Sequence, residues 1–209
     1  MGGITLDNRF EGGACEKPYL DAEGTLCIPI SPENEPVNSS PWYAFRISAE
    51  EHMTLKIRLV YPGAYGHRYD PKWSGDLKIW HALSGENRKQ TYDFLLNLGN
   101  KPLYVAAQPL LTSSDINEWI QNLTGLAPKF GGKTVLGRAI PYFTFGNPQA
   151  QRHLLFLGRQ HPPEVTGHKA LLAFVEELYQ DTWIKENYSV LVLPLVNPDG
   201  VTGVTMPAG

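Results

Sequence analysis

From Thr5 to about Gln108 the chain runs in short stretches of alternating or β-rich character, each broken by Gly, Pro, Asn or Asp. The clearest lie at 25–30, 42–47, 53–60, 77–81 and 102–106, and Met53-Thr54-Leu55-Lys56-Ile57-Arg58-Leu59-Val60 is the most regular of them. Successive side chains of a strand point to opposite faces, so period-two alternation predicts strands with one buried and one wet face. Many such strands separated by frequent turns predict an antiparallel β-sandwich. Residues 31–36 include Pro32 and Pro36; proline donates nothing to a ladder, so this stretch predicts a loop and excludes a central strand.

The period changes after Pro109. Ile116, Trp119, Ile120 and Leu123 recur at intervals of three and four, predicting a helix capped by Ser113, Ser114 or Asp115 and ended at Gly125. Two β-rich runs follow at 133–140 and 141–145, a predicted hairpin closed by Gly146-Asn147-Pro148. A strand over 152–157, a helix over 165–180 and a strand over 190–196 complete a βαβ unit. The helix groups Leu171, Val175, Leu178 and Tyr179 on one face, with Lys169, Glu176 and Glu177 largely away from it. Strands of a right-handed βαβ unit are parallel, so the loops after both fall at one edge of the sheet. The fold class expected is mixed α/β: a β-sandwich domain over 1–110, then part of an α/β domain over 111–209. No internal repeat or low-complexity tract interrupts either half.

Candidate chemistry gathers at that edge. Gly158-Arg159-Gln160-His161-Pro162-Pro163-Glu164 follows the apolar run Leu154-Leu155-Phe156-Leu157 and precedes the helix. It sets an imidazole and a carboxylate three residues apart on a strand-to-helix turn, where open α/β sheets bind ligands. His161 and Glu164 are donor types suited to zinc when a third ligand comes from elsewhere. The strand over 190–196 leads into Asn197-Pro198-Asp199-Gly200, whose residues have turn chemistry. Either motif alone has a bland reading; ending two parallel strands of one sheet, they form a candidate site.

Composition narrows the classes. Hydrophobic content of 42% and charged content of 19% fit a globular chain, and a net charge of −3 without a basic cluster argues against nucleic acid or an anionic membrane surface. Cys15 and Cys27 are the only cysteines and lie far from His161 in sequence, so free thiols are expected. Met1 to Asp7 lacks a basic start and an apolar core, and no apolar stretch approaches the ~20 residues of a membrane span, so a cytoplasmic location is expected. Gly131-Gly132-Lys133-Thr134 departs from a phosphate-binding loop because Ala127 takes the leading glycine position and a β-like run follows. The sequons at Asn38, Asn122 and Asn187 are expected to be inert, since no secretory signal is read in the sequence.

From about Ser114 onward the chain resembles the zinc carboxypeptidases, particularly their cytosolic branch. Thr134-Val135-Leu136-Gly137-Arg138 is similar to that family's S/T-x-x-G-R hairpin, His161-Pro162-Pro163-Glu164 to its H-P-x-E metal motif, and Asn197-Pro198-Asp199-Gly200 to its N-P-D-G turn. The β-rich half is similar in type to the domain preceding the catalytic domain in that branch, and 104–109 resembles the linking segment. The resemblance implies Zn2+ held by His161 and Glu164 with a third histidine, and hydrolysis of C-terminal residues from peptides or proteins, with the cytosolic branch pointing to acidic ones. In the family the third histidine, the arginines that bind substrate and the glutamate general base follow the N-P-D-G turn. The chain ends nine residues after Gly200 without them, so an incomplete site in a piece of a longer enzyme or a truncated product is expected, with no catalytic base or substrate-binding residue assigned. His153 lies at the far end of its strand, His168 is expected to be solvated or capping, and His52, His67 and His81 belong to the β-rich half. The alternative is an inactive protein-binding module in which Trp42, Tyr43, Trp73 and Trp80 form a recognition surface, although core roles for them are the commoner outcome. An unpaired edge on the strand over 190–196 would favour homo-oligomers.

Overall fold

The computed structural model describes residues 3–34, 38–61 and 66–203. In chain order the first strands are β1 (Ile4–Asp7), β2 (Tyr19–Leu20), β3 (Leu26–Pro29), β4 (Pro32–Asn34), β5 (Asn38–Pro41) and β6 (Ala44–Ala49). They are followed by β7 (Met53–Val60), β8 (Lys72–Ser74), β9 (His81–Ala82), β10 (Gly85–Arg88), β11 (Thr91–Leu98) and β12 (Leu103–Ala106). Then come α1 (Ser113–Thr124), β13 (Lys129–Lys133), β14 (Ala139–Gly146), β15 (Arg152–Leu157), α2 (Val165–Gln180), α3 (Thr182–Asn187), β16 (Tyr188–Leu193) and α4 (Pro198–Thr202). The chain is mixed α/β and divides into two compact units, Met1–Leu110 and Leu111–Gly209.

In the first unit two five-stranded sheets, ordered β1-β6-β12-β8-β9 and β10-β11-β7-β3-β2, share one core. The alternation read along 53–60 is realised: Leu55, Ile57 and Leu59 point inward against Tyr92, Phe94 and Leu96 of β11 and against Phe45, Ile47 and Val105 of the other sheet. Arg58 and Asp93 face each other across β7 and β11 on the other side, where the guanidinium donates two 2.8 Å hydrogen bonds to the carboxylate. That pairing lets Asp93 be buried at 5% exposure, since a buried carboxylate needs a charged, hydrogen-bonded partner.

Four details of the first unit differ from the sequence reading. Residues 77–80 are not a strand, and only His81 of the expected run is, as the start of β9: the Asp76 carboxylate accepts from the Lys78 and Ile79 amides, and Leu77 turns into the left-handed region at φ 65°. Side-chain-to-backbone bonding of this kind competes directly with a ladder. The pairing is not wholly antiparallel, because β3 runs parallel to β7. The strand expected at 42–47 begins at Ala44. Pro32 to Asn34 pairs with β5 in a two-stranded ribbon, away from any central position, while Glu35 and Pro36 lie outside the described residues.

The second unit is built on a four-stranded sheet ordered β13-β14-β16-β15, with β15 parallel and β14 antiparallel to β16. Phe143 and Phe145, Val190 and Val192, and Leu154 and Phe156 lie in register across it and pack with Ile116 and Ile120 of α1 and Leu172 and Val175 of α2. The helix cap is Thr112, not Ser113, Ser114 or Asp115: its hydroxyl accepts from the Asp115 amide while the Asp115 carboxylate accepts from the Thr112 amide. Gly125 ends α1 at φ 72° as expected. The predicted strand over 133–140 is split, since the bonds Gly137 N–H to Thr134 O and Thr134 N–H to Arg138 O make 134–138 the hairpin turn. The strand expected over 190–196 spans Tyr188–Leu193 and lies inside the sheet, paired on both sides; among the described residues β15, beside it, is an outer strand instead. On β15 Leu155 and Leu157 remain 58% and 45% exposed.

Candidate functional site

Gly158 starts the site because nothing larger fits. It exchanges backbone bonds with the segment leaving β16, donating to Leu193 O at 2.9 Å and accepting from Val196 N–H at 3.0 Å. A Cβ at this position would lie 2.5 Å from Leu171 Cδ2 and 2.6 Å from Pro194 O. The ends of the two parallel strands are thereby pressed together, and the loops beyond them meet: Asn197 Nδ2 donates to Gln160 O at 3.1 Å, and Pro162 lies against Gly200 where a side chain would collide.

His161 and Glu164 share the turn between β15 and α2, where the Glu164 amide donates to His161 O at 3.1 Å. Both side chains are exposed and both line one cavity of about 160 Å³, together with Gly158, Arg159, His168 and Leu171. Glu164 occupies the N-cap position of α2 yet makes no side-chain capping bond, so its carboxylate is not spent on the helix end. The donor types and their common cavity fit a zinc ion as two members of its ligand set. Among the described residues no group of three or more His, Cys, Asp or Glu side chains is placed to hold a metal.

His168 is neither solvated nor a cap, contrary to expectation. It is 3% exposed, and its Nδ1 lies 3.1 Å from Arg159 Nη1. A guanidinium can only donate, so Nδ1 is the acceptor and the neutral ring carries its proton on Nε2. That nitrogen then has no lone pair for a metal. Burial, with the Arg159 charge beside it, pushes the pKa of His168 down to about 4. His153 is exposed at the far end of β15, and Cys15 and Cys27 are free thiols of the first unit.

The N-P-D-G stretch is more than a turn. Asn197 caps the short helix α4, its Oδ1 accepting from Gly200 N–H at 3.0 Å. Asp199 reaches the β13–β14 hairpin, accepting from Thr134 Oγ1 at 2.7 Å, Arg138 Nη1 at 2.9 Å and Leu136 N–H at 3.1 Å. Burial pushes the Asp199 carboxyl up, but the bonds from Thr134, Leu136 and Arg138 outweigh it and hold it below the usual carboxylate range. The sequence motifs marked these residues without showing that they bond one another. Asp199→Ala is expected to free the hairpin tip, so that the Leu136 amide exchanges with deuterium roughly ten- to a hundredfold faster while amides of α2 hold their rates. Unchanged exchange at Leu136 would refute the bridge.

Residues 116–205 match the family model for zinc carboxypeptidases, Peptidase_M14. No curated protein matches the chain. Among solved structures, the chain is similar to a putative carboxypeptidase from Burkholderia mallei, with a TM-score of 0.78 at 18% identity over 95% of this chain and 56% of that one. A metallo-carboxypeptidase from Burkholderia cenocepacia gives 0.78 at 18% over 96% and 58%. A metallo-carboxypeptidase from Pseudomonas aeruginosa, in complex with (2-guanidinoethylmercapto)succinic acid, gives 0.71 at 18% over 95% and 56%. The chain thus has the fold of these proteins and spans 56–58% of the length of the first two.

Proposed function

We propose that the second unit carries part of a zinc carboxypeptidase site in which His161 and Glu164 are metal ligands, and that the whole protein removes C-terminal residues from peptides or proteins. The observation carrying this reading is the convergence of the His161–Glu164 turn and the Asn197–Gly200 turn at one sheet edge, inside the segment that matches the family model. Neutral imidazole and carboxylate are the donors such a centre needs, and zinc supplies Lewis acidity that makes water a nucleophile near neutral pH. This chain's own contribution is placement: Asn197 and Gly200 back the turn that presents both donors. No described residue is assigned as third ligand, general base or binder of the substrate carboxylate. Membership of the cytosolic branch, a preference for acidic C-terminal residues, a cytoplasmic location and a sandwich role for the two-sheet unit belong to the same proposal. So does self-association through the outer strand β15, where Leu155 and Leu157 are exposed. No helix among the described residues is long and apolar enough to cross a membrane.

The test is zinc binding by the chain, with hydrolysis of C-terminally extended peptides measured on a protein of the neighbours' length. His161→Ala is expected to lower zinc affinity by more than the about 100-fold that loss of an outer-shell partner produces. Zinc bound equally by wild type and His161→Ala would end the proposal. A second reading, a binding module without catalysis, would be favoured by wild type that binds no metal. Its aromatic surface finds little support: Tyr43 is buried, and Trp42 and Trp73 pack on the core of the first unit.

A further inference from the structure

We infer that Arg159 is a positioning residue for the metal-binding turn, anchored by His168, an inference that rests on the zinc reading of His161 and Glu164. Three observations converge on it. Arg159 adopts φ 52°, a left-handed conformation that a bulky side chain keeps only when its surroundings enforce it, and such strain concentrates at functional sites. Its side chain turns inward, leaving the residue 7% exposed, although a guanidinium is costly to remove from water. There its planar fork spans two elements: Nε donates to Pro162 O at 2.7 Å and Nη1 donates to His168 Nδ1 on the first turn of α2.

The turn needs such a support. Pro162 and Pro163 have no N–H to offer, and the exposed His161 and Glu164 side chains are not held by packing. The backbone of the turn therefore sets where both donors point, and the Pro162 carbonyl between them is gripped from beneath. Lysine cannot replace the fork, because one ammonium on a flexible stem lacks two donors in fixed, divergent directions. His168 suits the anchor because a neutral imidazole accepts at Nδ1 without adding a second buried charge. The resulting chain of contacts, from His168 through Arg159 to Pro162, holds the turn from the wall of the cavity that His161 and Glu164 also line.

The experiment compares wild type with Arg159→Lys, His168→Leu, His168→Gln and His161→Ala as full chains. It reads affinity for Co2+ or Zn2+ by competition with a chromophoric chelator, and deuterium exchange at the Glu164 amide, which bonds His161 O. Arg159→Lys and His168→Leu are expected to weaken metal binding roughly 10- to 100-fold and to quicken exchange at Glu164. His168→Gln keeps an acceptor and is expected to restore both. Wild-type affinity and exchange in Arg159→Lys would overturn the inference, as would exchange raised equally across α2 and β16, which marks a merely structural role. Metal binding unchanged in His161→Ala would overturn the zinc reading instead, and the Glu164 amide in Arg159→Lys would still decide whether the clamp holds the turn.

Discussion

Acidification from pH 6.5 to 4 is expected to remove about 3 kcal/mol of stability from the second unit through His168 alone. The neutral ring is buried and accepts from Arg159, so the folded state resists its protonation down to about pH 4. The unfolded chain binds the same proton near pH 6.5. Above that value both states are neutral and the residue adds no pH dependence; between the two values the unfolded state holds more protons, so stability falls as pH falls. His67 of the first unit is also pushed down by burial and contributes in the same direction there. Urea unfolding of wild type and His168→Gln at half-unit pH steps checks the second-unit prediction. A variant losing stability as steeply as wild type between pH 6.5 and 4.5 would remove His168 as the cause.

Phe45→Ala is expected to cost the first unit about 3–5 kcal/mol, enough to take much of the ~5–15 kcal/mol that holds an ordinary domain together. Phe45 is completely buried on β6, between Ala44 and Arg46 in sequence but among Tyr43, Ile57, Val105 and Phe94 in the shared core. Truncation loses the transfer energy of the ring and leaves a hole that ten strands in fixed register cannot close. Calorimetry should show the transition of the first unit lowered and that of the second retained, since the second unit has its own core around Val190, Val192 and Ile120. A loss below about 1 kcal/mol would mean that the two sheets close over the gap.

Each prediction tests a different kind of placement. Phe45 acts through a core assembled from distant strands, whereas His168 acts through one guanidinium nine positions away in sequence. The second contact joins pH, strain and the candidate metal turn in one small volume. Its behaviour is therefore a sharper guide to the site than overall stability.

The sequence alone was sufficient wherever the cause is local. Alternation along 53–60 dictated a half-buried strand, the three-and-four spacing from Ile116 to Leu123 a helix, and Gly125 its left-handed end. The spacing of His161 and Glu164 was enough to place both on one turn, and the βαβ order enough to bring Asn197 to the same edge. Only the tertiary structure decided that Asp76 would bend 77–80 out of a strand, that Thr112 would cap α1, and that β15 would be an outer strand. It alone joined Asp199 to Thr134 and Arg138, and it alone buried His168 against Arg159. The division has a physical reason. Periodicity and capping are set by neighbours along the chain, whereas a hydrogen bond spanning 65 residues, or the choice between solvating an imidazole and burying it, depends on which surfaces meet after the chain has folded.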